Sequence, residues 1–131
     1  MNPDLDCLES IVDYMVNALR PLRYGPTVTH VYNPLEYARE SLRQYHSNFA
    51  STPKEVVFLG MNPGPWGMAQ TGIPFGELNA VRDWMQINAP VGTPAEMPPK
   101  RPVMGFSCNK REVSGRRLGG WAQAAFQTPS R

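Results

Sequence analysis

The chain has few of the residues that build covalent or metal-bound frameworks, with two cysteines and two histidines among 131 residues. Cys7 and Cys108 are far apart and have no nearby cysteine or histidine, so neither a disulfide framework nor a zinc site is indicated. We expect both to pack as small apolar side chains. No apolar run approaches the roughly 20 residues of a membrane span, and the acidic start lacks the basic residues of a signal peptide. These absences predict a soluble intracellular protein.

The chain also has little excess of one charge, since its formal net charge is +2. This balance permits nucleic-acid binding without requiring it. The charges are unevenly distributed, however. Acidic residues dominate the start of the chain, whereas the last third is basic through Lys100, Arg101, Lys110, Arg111, Arg116, Arg117 and Arg131. A polyanionic partner is therefore expected to meet the C-terminal third.

Helical periodicity is clearest in the first 50 residues. Apolar residues at helical spacing predict an amphipathic helix from about Asp4 to Leu22. Asn33-Pro34 is a helix start signal and predicts a second helix that runs to about Phe49. Two further helices are predicted from Glu77 to Ile87 and from about Ser114 to Phe126. Between Pro63 and Pro102, clustered prolines and glycines predict loops.

One segment, Val56 to Leu59, has the short continuous apolar run of a strand buried on both faces of a parallel sheet. Ligands of open α/β sheets bind beyond the carboxyl ends of such strands, which draws attention to the residues from Gly60 onward. A sheet needs more than one strand. Either Val28 to Tyr32 and Val103 to Phe106 complete it poorly, or further strands are missing; we favour a truncated chain.

The segment that follows, Gly60 to Gly67 (GMNPGPWG), places Asn62 on a stiff turn where glycines admit a ligand close to the backbone. An amide held in this way can orient a water molecule, although Asn-Pro-Gly-Pro is also a common tight turn. A phosphate-binding loop is disfavoured because the Lys-Ser/Thr pair is absent and prolines remove backbone donors. Trp66 and Phe75 are rings that pack in a core or against a nucleobase.

Five motifs together carry a family resemblance. They are YNPLEYA from Tyr32, PKEVVFLGMNPGPWGMAQTGIPFGE from Pro53, VRDW from Val81, KRPV from Lys100 and EVSG from Glu112. In this combination the chain resembles the single-strand-selective monofunctional uracil-DNA glycosylase family. The likeness extends over most of the chain between Val28 and Gly115, and its central motif is long and compositionally unusual.

The resemblance implies a fold and an activity. The fold is the three-layer α/β/α uracil-DNA glycosylase fold with a central parallel sheet, incomplete in this chain. The activity is DNA repair: hydrolysis of the N-glycosidic bond of uracil and of oxidised derivatives such as 5-hydroxymethyluracil, in single- and double-stranded DNA, leaving an abasic site. No metal or cofactor is implied. The implied partner is DNA that contains such bases, bound by a monomer in the cytoplasm of a bacterium or the nucleus of a eukaryote.

The resemblance also implies roles for particular residues. Asn62 matches the asparagine that positions the attacking water, and Phe75 matches the ring that stacks on the flipped base. Gly64 and Met68 match the pocket wall beside uracil C5, with a recess for a hydroxymethyl group, and Met61 lies at the pocket edge. Residues that match a stretch facing the DNA backbone, or that are merely solvated, are Ser114, Arg116 and Arg117.

Two groups that the resemblance implies have no counterpart here: a later asparagine that reads the uracil edge, and a histidine in an HPSP-type motif that stabilises the leaving base. We therefore expect residues 1–131 to be the N-terminal portion of a single glycosylase domain, with little activity alone. The alternative is a truncated, inactive DNA-binding fragment that uses Phe75 and Trp66 to contact bases.

Overall fold

The computed structural model describes residues 3–130, and the regular structure in that range is helical. The α-helices are α1 (Pro3–Leu19), α2 (Pro34–Tyr37), α3 (Arg39–Phe49), α4 (Met68–Thr71) and α5 (Val113–Phe126). Between α4 and α5 lie a π-helical turn at Ala80–Trp84 and a 3-10 turn at Gly105–Ser107. None of the helices in this part of the chain has the length and apolar character needed to cross a membrane.

The predicted α/β/α fold with a central parallel sheet is wrong for residues 3–130, because none of them lies in a β-strand. Residues 56–59 have no regular secondary structure, and Val56, Val57, Phe58 and Leu59 are 68, 83, 56 and 95% exposed. No backbone hydrogen bond joins them to residues 28–32 or 103–106. A strand exists only where a second backbone supplies its hydrogen bonds, and apolar composition alone does not provide one.

The first helix packs on the third. Val12 and Val16 of α1 form a buried cluster with Leu42 of α3. Beside this cluster, Arg39 of α3 lies 2.8 Å from carboxylate oxygens of both Glu9 and Asp13 of α1. The acidic first turn of α1 complements the positive end of its helix dipole. The predicted first helix is confirmed, although it ends at Leu19 and not at Leu22.

The predicted second helix is divided at Ala38 into α2 and α3. Its predicted start is confirmed, since Oδ1 of Asn33 accepts a hydrogen bond of 3.0 Å from the backbone N–H of Leu35. The division has a tertiary cause. The backbone N–H of Gly92 donates to the carbonyl of Tyr37 at 2.7 Å, and Gly72 packs directly against Ala38. Contacts with distant loops thus override a local helical pattern.

A second buried cluster supports the loop-rich middle of the chain. Its fully buried members are Ile73, Val81 and Ile87, and partly buried side chains that pack against them include Tyr45 and Phe49 of α3. The helix predicted over residues 77–87 is wrong in extent, because the helical residues there are 78–84, most of them in the π-helical turn, with Met85 N donating to Ala80 O at 2.9 Å.

Two remaining predictions concern α5 and the cysteines. The predicted last helix is confirmed as α5. The expectation that both cysteines pack inside the protein is wrong for Cys7, which is exposed on α1, whereas Cys108 is half-buried. Helical periodicity does not reveal which side of a helix lacks a neighbour, so the exposure of Cys7 could not be predicted from it.

Candidate functional site

The turn that carries Asn62 lies at the surface of the molecule. Asn62 is exposed, and its Nδ2 donates a hydrogen bond of 3.2 Å to the carbonyl of the next residue, Pro63. This local bond leaves the side-chain oxygen of Asn62 free of partners among residues 3–130. The amide is therefore held on one side and open on the other, as a group that orients a water molecule must be.

Phe75 approaches this turn from the loop after α4. A Cβ atom on Gly60 would lie 3.1 Å from Cζ of Phe75, so the ring is packed against the backbone two residues before Asn62. The φ angle of Phe75 is +55°, a conformation that is costly for a bulky side chain. Such strain persists only where surrounding contacts impose it, and it is concentrated at functional sites.

The loops on either side of α4 are fixed by two buried polar side chains. Nε2 of Gln70 donates to the carbonyls of Pro65 and Pro102, both at 2.9 Å, and its Oε1 accepts from the N–H of Met104 at 2.8 Å. Oγ1 of Thr71 donates within the same region, lying 2.9 Å from the carbonyl of Gly76. Both side chains are fully buried. Their bonds make this segment a rigid support for Asn62 and Phe75.

The residues from 110 to 115 (KREVSG), which lead into α5, pack along the same segment. Nζ of Lys110 lies 4.3 Å from the centre of the Trp66 ring, a cation–π geometry. Nε of Arg111 lies 2.6 Å from Oε1 of Glu77. Gly115 packs so closely that a Cβ there would come within 2.6 Å of the carbonyl oxygen of Phe75. The start of α5 thus contacts the turn and the backbone of Phe75 from one side.

Glu77 is a buried carboxylate at this junction, 2% exposed. Burial alone would raise the pKa of Glu77, but the Arg111 guanidinium and the backbone N–H groups of Ala80 and Asn79 outweigh burial and hold that pKa below its ordinary value. The charged form is therefore the stable one. It joins the loop after Phe75 to the segment that precedes α5.

The other predicted site residues lie around this turn. The side chain of Met61 is 98% exposed and packs on nothing, whereas Met68 is half-buried at the start of α4. On the Cβ side of Gly64 there is no free recess, because a Cβ there would meet Cδ of Glu112 at 2.6 Å. Ser114, Arg116 and Arg117 are exposed in the first turns of α5, directly after the residues that contact the Asn62 turn.

Sequence reasoning missed the side chains that hold the site together, namely Gln70, Thr71, Glu77 and Glu112. Each of them falls in a loop or a four-residue helix, where periodicity carries no information about burial. Among residues 3–130 there is no group of three or more histidine, cysteine or acidic side chains arranged to hold a metal ion. The polar groups of the site are two side-chain amides, a hydroxyl, carboxylates, the Lys110 and Arg111 cations and backbone groups.

No known family profile matches the chain, but comparison with known proteins finds similar sequences, three of which are the following. The chain is 54% identical over 103 residues to a single-strand selective monofunctional uracil DNA glycosylase of Bos taurus. It is 53% and 52% identical over 111 residues to proteins of the same description from Mus musculus and Rattus norvegicus. The matches cover 79 to 85% of this chain but only 38 to 40% of each relative.

Proposed function

Because the chain is homologous to the single-strand selective monofunctional uracil-DNA glycosylases over 103 to 111 residues, we propose that it acts in base excision repair as a uracil-DNA glycosylase. The reaction is hydrolysis of the N-glycosidic bond between uracil and deoxyribose, which leaves an abasic site. We extend the proposal to 5-hydroxymethyluracil and related oxidised uracils, in single- and double-stranded DNA. The protein would act as a monomer in the compartment that holds the DNA.

The observation that carries the proposal is the packing of Phe75 against Gly60, beside Asn62, on strained backbone. An enzyme that acts on a base must take it out of the stack and hold its face against an apolar surface. The Phe75 ring provides such a face. The ring packs on Gly60, which precedes Asn62 by two residues, so the stacking surface and the amide belong to the same turn.

Asn62 serves the second half of the reaction. Departure of uracil leaves positive charge on the sugar and negative charge on the base, so that the water attacks a largely formed cation. Such a water needs orientation more than it needs deprotonation, and a neutral amide provides orientation. The open side-chain oxygen of Asn62 is suited to accept one hydrogen from that water.

The proposed DNA contacts lie beside these two residues. Ser114, Arg116 and Arg117 are exposed at the start of α5, the helix whose first turn packs on the Phe75 backbone. Arginine side chains bind phosphate oxygens, and N–H groups at a helix start favour the same anion. In this arrangement a DNA strand lies across the start of α5 and presents one base to Phe75.

The second candidate function is DNA binding without base release. It is favoured by the exposure of Met61, Asn62 and Pro63 at the tip of the turn. The chain spans about two-fifths of the length of its relatives. A site open to water on one side stabilises the departing base poorly, since transition-state electrostatics are strongest where water is excluded. Under this alternative, Phe75 and Trp66 contact bases and no bond is broken.

The test is to incubate the chain with a single-stranded oligonucleotide that contains one uracil and then to cleave abasic sites with alkali. Strand breaks at the uracil, lost in Asn62→Ala while oligonucleotide binding persists, support the glycosylase. Phe75→Ala is expected to weaken both binding and release. Binding without breaks, unchanged in Asn62→Ala, supports the DNA-binding alternative, and equal release by wild type and Asn62→Ala refutes the water-positioning role.

A further inference from the structure

Glu112 has an unusual environment for a carboxylate. Its side chain lies between two glycines of the Asn62 turn: a Cβ on Gly64 would meet Cδ of Glu112 at 2.6 Å, and a Cβ on Gly67 would meet its Cγ at 3.0 Å. The nearest heavy atoms to both of these positions all belong to Glu112. The absence of side chains at 64 and 67 thus creates the space that Glu112 fills.

This carboxylate is not held by charge. Within residues 3–130 it forms no ion pair and accepts no hydrogen bond, and it does not cap α5, although it occupies the position just before that helix. The adjacent cations are engaged elsewhere, Arg111 with Glu77 and Lys110 with the Trp66 ring. Glu112 therefore sits in the turn because its shape fits between two glycines.

We infer that Glu112 is a positioning residue for Asn62, a role that rests on the function proposed above. Gly64 follows Asn62 by two residues, with only Pro63 between them, so displacement of Gly64 moves the Asn62 amide. Glu112 stands on the start of α5, which also packs on the carbonyl of Phe75 through Gly115. By filling the space between the two glycines, Glu112 keeps the water-positioning amide at a constant distance from the base-stacking ring.

Removal of the Glu112 side chain is predicted to lower the rate of uracil release more than the affinity for the oligonucleotide. A misplacement of about 1 Å at a reacting centre costs on the order of 100-fold in rate. Glu112→Ala is therefore expected to lower the rate of uracil release by about 10- to 100-fold while oligonucleotide affinity stays close to wild type. Glu112→Gln keeps the shape and removes the charge, and it is expected to recover most of the rate.

The experiment compares Glu112→Ala and Glu112→Gln with Glu96→Ala in the 131-residue chain. Glu96 is exposed, so its substitution matches the charge change without touching the site. Uracil release and oligonucleotide affinity are measured together with the NMR signal of the Asn62 side-chain amide and with the unfolding temperature. The amide signal should shift in Glu112→Ala and not in Glu112→Gln or Glu96→Ala.

Gly64→Ala provides a second route if Glu112→Ala is poorly folded. The new methyl group displaces the Glu112 carboxylate, so the same shift of the Asn62 signal is expected, and less of it when Glu112→Ala is already present. An unmoved Asn62 signal in Glu112→Ala and Gly64→Ala overturns the positioning role. So does a Glu112→Gln variant that behaves like Glu112→Ala.

These measurements distinguish failure of the proposed glycosylase function from failure of the positioning role of Glu112. If wild type releases no uracil, the proposed function fails for this chain, and the Asn62 amide signal still decides whether Glu112 positions the turn. If wild type releases uracil and Glu112→Ala does so at the same rate, the glycosylase stands and the positioning role of Glu112 is refuted.

Discussion

At the scale of single residues, Gln70 joins two stretches of backbone, around Pro65 and from Pro102 to Met104, through three hydrogen bonds of one buried amide. Gln70→Ala leaves the carbonyls of Pro65 and Pro102 and the N–H of Met104 without that partner. Each buried polar group left unpaired costs about 1–3 kcal/mol. We expect the variant to lose about 2–4 kcal/mol of unfolding free energy in urea denaturation. Gln123→Ala, on the exposed surface of α5, is the matched control, and an equal loss there would contradict the assignment.

Glu77 gives the site a defined response to acid. Since the pKa of Glu77 is held below its ordinary value of 4.5, the folded state keeps this carboxylate charged at pH values where the unfolded chain takes up a proton. The stabilisation is complete above pH 4.5 and is lost as the pH falls through the lower folded pKa. The unfolding temperature of wild type should therefore fall more steeply below pH 4.5 than that of Glu77→Gln. Parallel curves for the two proteins would show that Glu77 contributes nothing to this slope.

The sequence identifies the residues with candidate chemistry better than it identifies the residues that hold those side chains in place. Local pattern places Asn62 and Phe75 in a proline- and glycine-rich loop, and the family resemblance supplies the roles expected of them. Gln70 and Glu112 cannot be identified in this way, since their roles depend on backbone atoms more than 30 residues away in the chain. A polar side chain whose partner is distant backbone leaves no periodic signal.

At the scale of elements, the packing of α1 on α3 is the clearest source of stability in the first 50 residues. Leu42 is 3% exposed and contacts Val12 and Val16 of α1. Leu42→Ala removes buried methyl groups and leaves a cavity, which costs about 2–5 kcal/mol in other proteins. We expect a loss within that range in urea denaturation. Leu22→Ala, at a half-exposed position after α1, should cost much less, and similar losses would argue against this core.

The elements differ in how far sequence could specify them. The first and last helices can be predicted from the spacing of their apolar residues, because that spacing places those residues on one face that packs on another element. A strand at residues 56–59 cannot be predicted in this way, because its existence depends on a partner backbone that no local pattern supplies. The break at Ala38 has the same kind of cause, a hydrogen bond from Gly92 to Tyr37.

At the scale of the whole molecule, charge is divided between the acidic start and the basic last third. We expect the double substitution Arg116→Ala, Arg117→Ala to weaken binding of a single-stranded oligonucleotide. If both arginines contact phosphates, the slope of log affinity against log salt should fall in magnitude by about 1.4. The pair Arg20→Ala, Arg23→Ala makes the same net charge change near α1. An equal effect of both pairs would indicate long-range attraction without a defined DNA path.

The exposed run at residues 56–59 has a practical consequence for anyone who handles this protein. From Val56 to Met61 the chain has six residues without charge or proline, and the first four side chains are all apolar and accessible. An exposed apolar segment with unused backbone hydrogen-bonding groups is a template for aggregation. Lys54 and Glu55 on one side and Pro63 on the other are the only gatekeepers nearby. We therefore expect this short segment to limit the working concentration, and a charged residue in place of Val57 to raise that limit.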